Sequence, residues 1–313
     1  KDYLQEKFPL SVEDDNLLVN GSICPNDELM QAIKSLQVGE MLLQGDCLIA
    51  VRMDRQDVAT FDPMAIPDFI RKEYTGVFTR VVYPYHLFSL NAQELEVDFR
   101  LITEGRESAP LNSCVQVYGK YPVFVEEGAV VRCAVINTEG GPVYIGKDAE
   151  IMEGVLVRGP LAMCEHSVLT MGAKVYGATT LGPYCKCGGE VNNVVMIAYS
   201  NKAHDGFLGN SVLGEWCNIG AGTNNSNLKN TYVEVKLWDY DTKHFRRTGL
   251  QFCGLIMGDH AKLGISTMIN TGTVIGVGTN IFGSDFPRNF VPSFSWGGAS
   301  GFTEHKMNQF VST

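Results

Sequence analysis

The stretch from Ile145 to Cys185 reads IGKDAE IMEGVL VRGPLA MCEHSV LTMGAK VYGATT LGPYC, and set out in sixes it decides the fold. Stepping by six from Ile145 gives Ile151, Val157, Met163, Leu169, Val175 and Leu181, an apolar residue each time. Four places beyond each start stand Ala149, Val155, Leu161, Ser167, Ala173, Thr179 and Cys185, mostly small. An α-helix repeats its apolar face about every 3.6 residues and a flat strand every second residue, so this period belongs to neither. It is a hexapeptide repeat. Each repeat makes a short strand and a turn, and three repeats make one triangular coil of a parallel β-helix. The aliphatic at each start points inward, and the small residue lets neighbouring faces close. Because each coil buries its interior only by stacking on the next, stability accumulates along the array and the ends need caps.

The register shifts and resumes at Phe207, Leu213 and Ile219, with Ser211, Cys217 and Thr223 in the small positions. It runs again through Met257, Leu263, Ile269, Ile275 and Ile281, with Gly258, Gly264 and Gly276 following three of them. From Val125 to Ile281 this predicts roughly eight coils. Two interruptions stand out, residues 192–206 and an excursion over 228–254, and loops leaving a regular scaffold are where sites are built. The excursion carries Lys229, Lys236, Lys243, His244, Arg246 and Arg247 among Tyr232, Trp238, Tyr240 and Phe245. It reads as a β-hairpin arm gripping a neighbouring subunit or as a set of cations for phosphate groups. The tail over 287–313, with Pro287, Pro292, Trp296 and Phe302, breaks the period and reads as a cap, its end from Phe302 to Phe310 as a short helix.

Before the repeats the chain has a different character. Leu17 to Val19 is a strand-like run ending at the turn signal Asn20-Gly21. Asn26 is placed to cap a helix whose stripe is Leu29, Met30, Ile33 and Leu36 and which Gly39 closes. Met41 to Leu43 and Cys47 to Val51 flank Gly45-Asp46 as a hairpin does. Residues 87–117 read as a connector with some strand. The expected organisation is a partial α/β domain with its connector over 1–110, then a β-helix over 111–313.

Composition narrows the function. The 313 residues hold 25 Lys plus Arg against 35 Asp plus Glu, a formal net charge of −10, which argues against a nucleic-acid binder held by phosphate contacts. At 45% hydrophobic and 19% charged the chain can bury a core. The longest apolar runs, such as Val194 to Ala198, are strand-sized, so no membrane association is expected. Nine scattered cysteines do not suggest a disulfide framework and fit a reducing cytoplasm. Cys185 and Cys187 fall on regular repeat positions, as does Cys217; with no second pair or His partner nearby they read as core filler, and no metal site is expected. The chain opens at Lys1 without an initiator Met, which suggests that its true beginning lies upstream.

The repeat pattern resembles the left-handed β-helix acyltransferases, which form trimers with active sites between subunits. A narrower likeness lies in Ser200 to Asn227, SNKAHDGFLGNSVLGEWCNIGAGTNNSN, which looks like the acetyltransferase segment of the bifunctional GlmU enzymes and their Bacteroidetes-type relatives. Those enzymes acetylate glucosamine-1-phosphate with acetyl-CoA and attach uridylyl from UTP in a separate N-terminal domain. The resemblance covers the C-terminal two-thirds well and the first 110 residues loosely. It implies His204 as general base, with Glu190 in its neighbourhood and Asn227 near the acetyl group. It implies Lys174 on a phosphate-binding position, Asn218 on an amino-sugar contact, and Ala221 and Ser266 on acetyl-CoA contacts. Asn192 stands where a phosphate-contacting Lys is expected, and Phe207 where the family has Tyr. In the nucleotidyltransferase half, the family's magnesium-binding Asp in a strand-end G-D-x-P is replaced around Asn20 to Pro25 by Ser22. A hydroxyl cannot take over a carboxylate's charge on a hard cation, and the Gly-rich phosphate loop would lie before Lys1. Mg2+ is expected only with a complete nucleotidyltransferase domain.

Each residue also has a plainer reading. His204 can be a surface histidine, and Asn218 and Asn227 can form an asparagine ladder inside turns. Asp205 beside His204 could orient it, but adjacent side chains in an extended segment diverge, which favours Glu190. Three functions compete: an acetyl-CoA-dependent N-acyltransferase on an amino sugar phosphate, a sugar-1-phosphate nucleotidylyltransferase whose β-helix only oligomerises or regulates it, and a non-enzymatic scaffold. His204 with Asn227 favours the first, which brings with it the expectation of a cytoplasmic homotrimer.

Overall fold

The computed structural model describes residues 8–9, 11–62 and 68–312; Lys1 lies outside them. The chain forms two compact units, one running to Val82 and the other from Tyr83.

The first unit comprises β1 (Asp15–Val19), β2 (Ile23–Cys24), α1 (Asp27–Lys34), β3 (Glu40–Gln44), β4 (Cys47–Asp54), α2 (Arg55–Thr60), β5 (Ile70–Glu73) and β6 (Thr79–Arg80). Its sheet has the order β1-β4-β3-β5, antiparallel except for β3 with β5. The expected hairpin is β3–β4, turning through Gly45 at φ +56°. The Asn26 side chain accepts from Leu29 N–H at 2.9 Å and so caps α1, as the sequence predicts. Leu29 and Ile33 bury α1 against Leu42 and Ile49. The helix stops at Lys34 instead of running to Gly39. Ser35 turns its hydroxyl onto the Ala32 carbonyl at 2.7 Å, a local bond that competes with helical pairing. Gly39, at φ +83°, serves the turn into β3.

The second unit opens with α3 (His86–Thr103), an eighteen-residue helix where the sequence reading expected a connector. Its entry residue Tyr85 makes no side-chain cap, so the usual start signal is missing. The stripe Phe88, Leu95 and Phe99 nonetheless buries one face. Asn91 fixes the helix on the solenoid, donating to the Ala178 carbonyl at 3.0 Å and accepting from the Thr180 hydroxyl at 2.9 Å. The unit boundary therefore falls well before the expected 110.

The rest is a left-handed parallel β-helix of about 10 turns. All seven repeat starts from Ile145 to Leu181, and all seven of their partners from Ala149 to Cys185, are buried. The expected eight coils are extended at both ends. Gln116–Tyr118 pairs with Val135–Asn137, and Ser295–Gly298 continues the column beyond Asn280–Ile281, where the six-residue spacing of aliphatics is lost. Three faces result. The first carries Gln116–Tyr118, Val135–Asn137, Leu156–Arg158, Lys174–Tyr176 and the openings of Glu190–Ala198 and Phe207–Glu215. The second continues from the far ends of those long strands, and the third holds Lys186–Cys187, Asn201–Lys202 and Asn218–Ile219 in one column.

Residues 192–206 do not interrupt the helix. Strand Glu190–Ala198 bends across two faces, and Cys187 pairs with Lys202 fifteen residues on, where a regular coil uses eighteen. One coil is short, and the six-residue count fails across it. The same slip misassigned Phe207, which faces outward beside Glu190 while Leu208 is buried in its place.

The excursion over 228–254 is a hairpin, Lys236–Asp239 with His244–Arg247. It lies on its own solenoid: Leu237, Val235 and Cys253 join Phe88, Val195, Val212 and Val274 in a cluster that roofs the second face. Trp238 stacks on Phe290 at 4.2 Å between centroids. Arg246 pairs with Asp239, and Arg247 with Glu234, so two of its cations are already neutralised. The tail caps the last coil as expected: Gly301–Glu304 turns back antiparallel on Ser295–Gly298, and α4 (Met307–Val311) sets Phe310 against His260, Phe294 and His305.

Along the corner between the second and third faces, His166, Tyr184, Tyr199, Trp216 and His260 stack ring on ring at 4.6, 5.4, 4.7 and 6.3 Å. Each has φ between +52° and +59°, a conformation bulky residues rarely adopt. Stacking of neighbouring rings offsets that strain. No helix among the described residues is long and apolar enough to cross a membrane.

Candidate active site

The corner between the third and first faces holds His204. Its backbone is fixed over three successive residues. The Ala203 carbonyl accepts from Thr170 Oγ1 at 2.8 Å, the His204 carbonyl accepts from Lys202 Nζ, and the Asp205 carbonyl accepts from Gly222 N–H at 2.9 Å. The fit is tight enough that a methyl group on Gly189 would stand 2.8 Å from the His204 carbonyl oxygen. The imidazole itself is exposed and makes no hydrogen bond among the described residues. A fixed backbone carrying a free ring suits a group that must meet a ligand.

Lys202 is the unexpected member. It occupies the inward column between Cys187 and Ile219, where the coils from Val131 to Ile281 otherwise place an aliphatic or sulfur-bearing side chain, and is 1% exposed. Burial holds its ammonium below the ordinary lysine range, with the Cys187 and Asp205 sites working weakly the other way. The sequence reading passed over it because 192–206 looked like a loop. In a solenoid register, a lysine at an aliphatic position is a legible signal.

Next to this corner the first face presents two outward columns. One contains Leu156, Lys174, Glu190 and Phe207 in register; the other contains Arg158, Tyr176, Asn192 and Gly209. Lys174, Glu190, Asn192 and Phe207 are thereby neighbours on one face. Glu190, however, does not engage His204. Its Oε1 accepts from the Tyr176 hydroxyl at 2.5 Å, which raises the Tyr176 phenol to about 12. Arg158 and Lys174 open with Tyr118, Asn137, Tyr176 and Glu190 into a depression of about 450 Å³. Neither cation has an acidic partner among the described residues, in contrast to Arg52, Arg106, Arg132 and Arg246. Arg158 was not singled out from the sequence. It supplies positive charge two coils from Asn192, in the column where the family's Lys is absent.

Asn227 reaches the same face. Its Nδ2 donates to Asn210 Oδ1 at 2.7 Å. A methyl group on Gly209 would fall 2.8 Å from that nitrogen and 2.5 Å from the Phe207 ring, so only glycine lets the three approach. The asparagine ladder exists one step earlier in the chain: Asn224 Oδ1 accepts from Phe207 N–H at 2.7 Å, and Asn225 Oδ1 from Gly209 N–H at 2.8 Å. Asn218 is apart, on the third face, where it accepts from Asn201 Nδ2 at 3.0 Å. Ala221 and Ser266 lie on the His204 corner in the next two coils, joined by Ser266 N–H to the Ala221 carbonyl at 2.7 Å. Exposed Met171 and Ile265 give this corner an apolar strip.

Cys185, Cys187 and Cys217 are buried in the core, as expected, and burial pushes their thiols to about 11, 12 and 12. Among the described residues no three His, Cys, Asp or Glu side chains converge as metal ligands. Ser22 is tied to Asn20 Oδ1 at 2.8 Å.

Residues 1–107 match the family described as sugar nucleotidyl transferase. A bifunctional sugar-1-phosphate nucleotidylyltransferase/acetyltransferase of Sulfurisphaera tokodaii is 30% identical over 145 residues, 45% of this chain and 35% of that protein. The bifunctional protein GlmU of Methanocaldococcus jannaschii is 30% identical over 155 residues, 49% of this chain and 35% of that one. The chain is thus similar in parts to GlmU-like proteins, at its N-terminal end to the sugar nucleotidyl transferases and over nearly half its length to the bifunctional enzymes. It spans about a third of the length of these GlmU-like relatives. The solved structure of the polysialic-acid-specific acetyltransferase NeuO overlays at a TM-score of 0.32 with 13% identity, over 63% of this chain and 88% of that chain, too loosely to add to the assignment.

Proposed function

We propose that the protein is an acetyl-CoA-dependent N-acetyltransferase acting on an amino sugar phosphate of the glucosamine-1-phosphate class. The observation that carries this reading is the exposed His204 imidazole on a fixed corner, beside a face where Arg158 and Lys174, without acidic partners among the described residues, line one depression. The cations suit the phosphate, and Glu190, already polarised by Tyr176, suits sugar hydroxyls. The attacking amine forms a C–N bond to the acetyl carbonyl as the C–S bond of the thioester breaks, and the His204 imidazole takes the amine proton. Asn227 is placed to donate to the developing oxyanion without adding charge. Ala221 and Ser266, with the apolar strip of Met171 and Ile265, offer a track for the acyl carrier along the corner. Asn218, on the third face, enters such a site from a neighbouring subunit, which fits a homotrimer.

Incubation with acetyl-CoA and glucosamine-1-phosphate should release free thiol, and a rate no higher than the enzyme-free blank refutes the reading. Sedimentation should give a trimer; a stable monomer at micromolar concentration refutes the shared site. The match over residues 1–107 favours a second reading, sugar-1-phosphate nucleotidylyl transfer. Ser22 in the acidic ligand's place predicts no pyrophosphate release from UTP, Mg2+ and N-acetylglucosamine-1-phosphate, and release above the blank promotes that reading.

A further inference from the structure

Of the nine cysteines, only Cys114 and Cys133 are exposed; the rest are buried or partly covered. These two stand next to each other. They occupy the same corner in consecutive coils, two residues before Gln116 and Val135, which pair in register. The Cys133 N–H donates to Cys114 Sγ at 3.2 Å, and Cys133 holds φ at +42°, outside the range most residues prefer. Cys114 N–H is itself tied to Asn112 Oδ1 at 3.1 Å, so the loop that presents this thiol is fixed. An exposed pair of thiols is a liability unless it is used, and no other pair in the chain shares this placement. The strand that follows Cys114, Gln116–Tyr118, is the exposed outer edge of the first face, and Tyr118 lines the depression with Arg158 and Lys174.

We propose that Cys114 and Cys133 form a reversible intramolecular disulfide on exposure to a hydroperoxide, stapling the first coil of the solenoid to the second. The Cys114 thiolate attacks one peroxide oxygen, the O–O bond breaks, and hydroxide leaves. The Cys133 thiolate then attacks the sulfenic sulfur and expels a second hydroxide, so two thiols and one hydrogen peroxide give one disulfide and two waters. Hydrogen bonding from Cys133 N–H holds the Cys114 thiol below its ordinary range, which marks it as the attacking partner. The bond closes a short loop and locks an edge strand whose inward support comes from one side only, so the terminal coil frays less.

The test treats the full chain with hydrogen peroxide and maps peptides without reduction. Expected are a cystine joining the Cys114 and Cys133 peptides and a rise in melting temperature on the order of 5 °C, both reversed by dithiothreitol. C114S and C133S should each abolish both effects while melting like the reduced parent. Cys114 advancing to sulfinic acid with Cys133 still free, a bridge between two chains, or the bond forming with no thermal shift would each overturn the proposal.

Discussion

Lys202 donates from inside the prism to the carbonyl oxygen of His204, so a buried cation supports the residue that faces the ligand. A single ammonium in an aliphatic column costs solvation energy, and a buried charge is seldom kept for stability alone. Lys202→Met retains the volume and removes the charge. Its melting temperature at neutral pH should equal or exceed that of the parent, while kcat for acetyl transfer falls about tenfold or more as the corner loses its tether. A variant that melts much lower with full activity per folded molecule would make Lys202 a packing residue.

His204→Ala should lower kcat by about 10²–10⁴-fold, the range expected of a general base, with the oligomer and melting curve unchanged. No inward aliphatic is touched, and the carbonyl that Lys202 holds remains. His204→Asn should behave alike, since it keeps polarity without basicity. If His204→Ala unfolds while its soluble fraction stays fully active, the acetyltransferase reading loses its main support.

The solenoid was legible because its interior repeats a simple demand every six residues, and Ile145 through Leu181 meets it without exception. The reading failed where a coil changed length. Between Cys187 and Lys202 three residues are missing from the usual count, and with them went the inward register of Lys202 and the outward register of Phe207. Helix α3 was missed for a different reason: its one buried stripe is thin, and no capping side chain announces it. His204 and Lys174 came from the resemblance alone, whereas Arg158 and Tyr176 needed the coils to be stacked before their neighbours were known. Single-coil spacing says which way a side chain points. Lateral pairing says what it meets, and that depends on coil lengths summed over the whole array.

Alkali should destabilise the protein beyond what its surface charge explains. Burial pushes Cys164 and Cys185 to about 11 and Cys187, Cys217 and Cys253 to about 12, against about 9 when unfolded. The folded state therefore keeps protons that the unfolded chain gives up. The stability tied to these thiols is fully present below pH 9 and declines as pH rises through 11 to 12. Lys202 acts in the opposite sense, since its folded value lies below 10.5. Denaturant midpoints from pH 7 to 11 should fall above pH 9, less steeply in Cys253→Ala. A flat profile would show that the thiols ionise freely in the folded state.

Arg158 and Lys174 give the sharpest test of what the first face binds. They belong to neighbouring coils and adjacent columns, open into one depression, and lack acidic partners among the described residues. A phosphate placed between two long cationic side chains receives charge-assisted hydrogen bonds, each worth roughly 1.5–3 kcal/mol. Losing one should raise KM by roughly ten- to a hundredfold. Arg158→Ala and Lys174→Ala should each do so for glucosamine-1-phosphate while leaving kcat near the parent value, because neither side chain handles the amine proton. With glucosamine as acceptor the same variants should match the parent, since no phosphate remains to be lost. Equal losses on both acceptors would mean that the cations shape the face without reading the phosphate. A fall in kcat confined to Lys174→Ala would instead place that ammonium at the reacting centre.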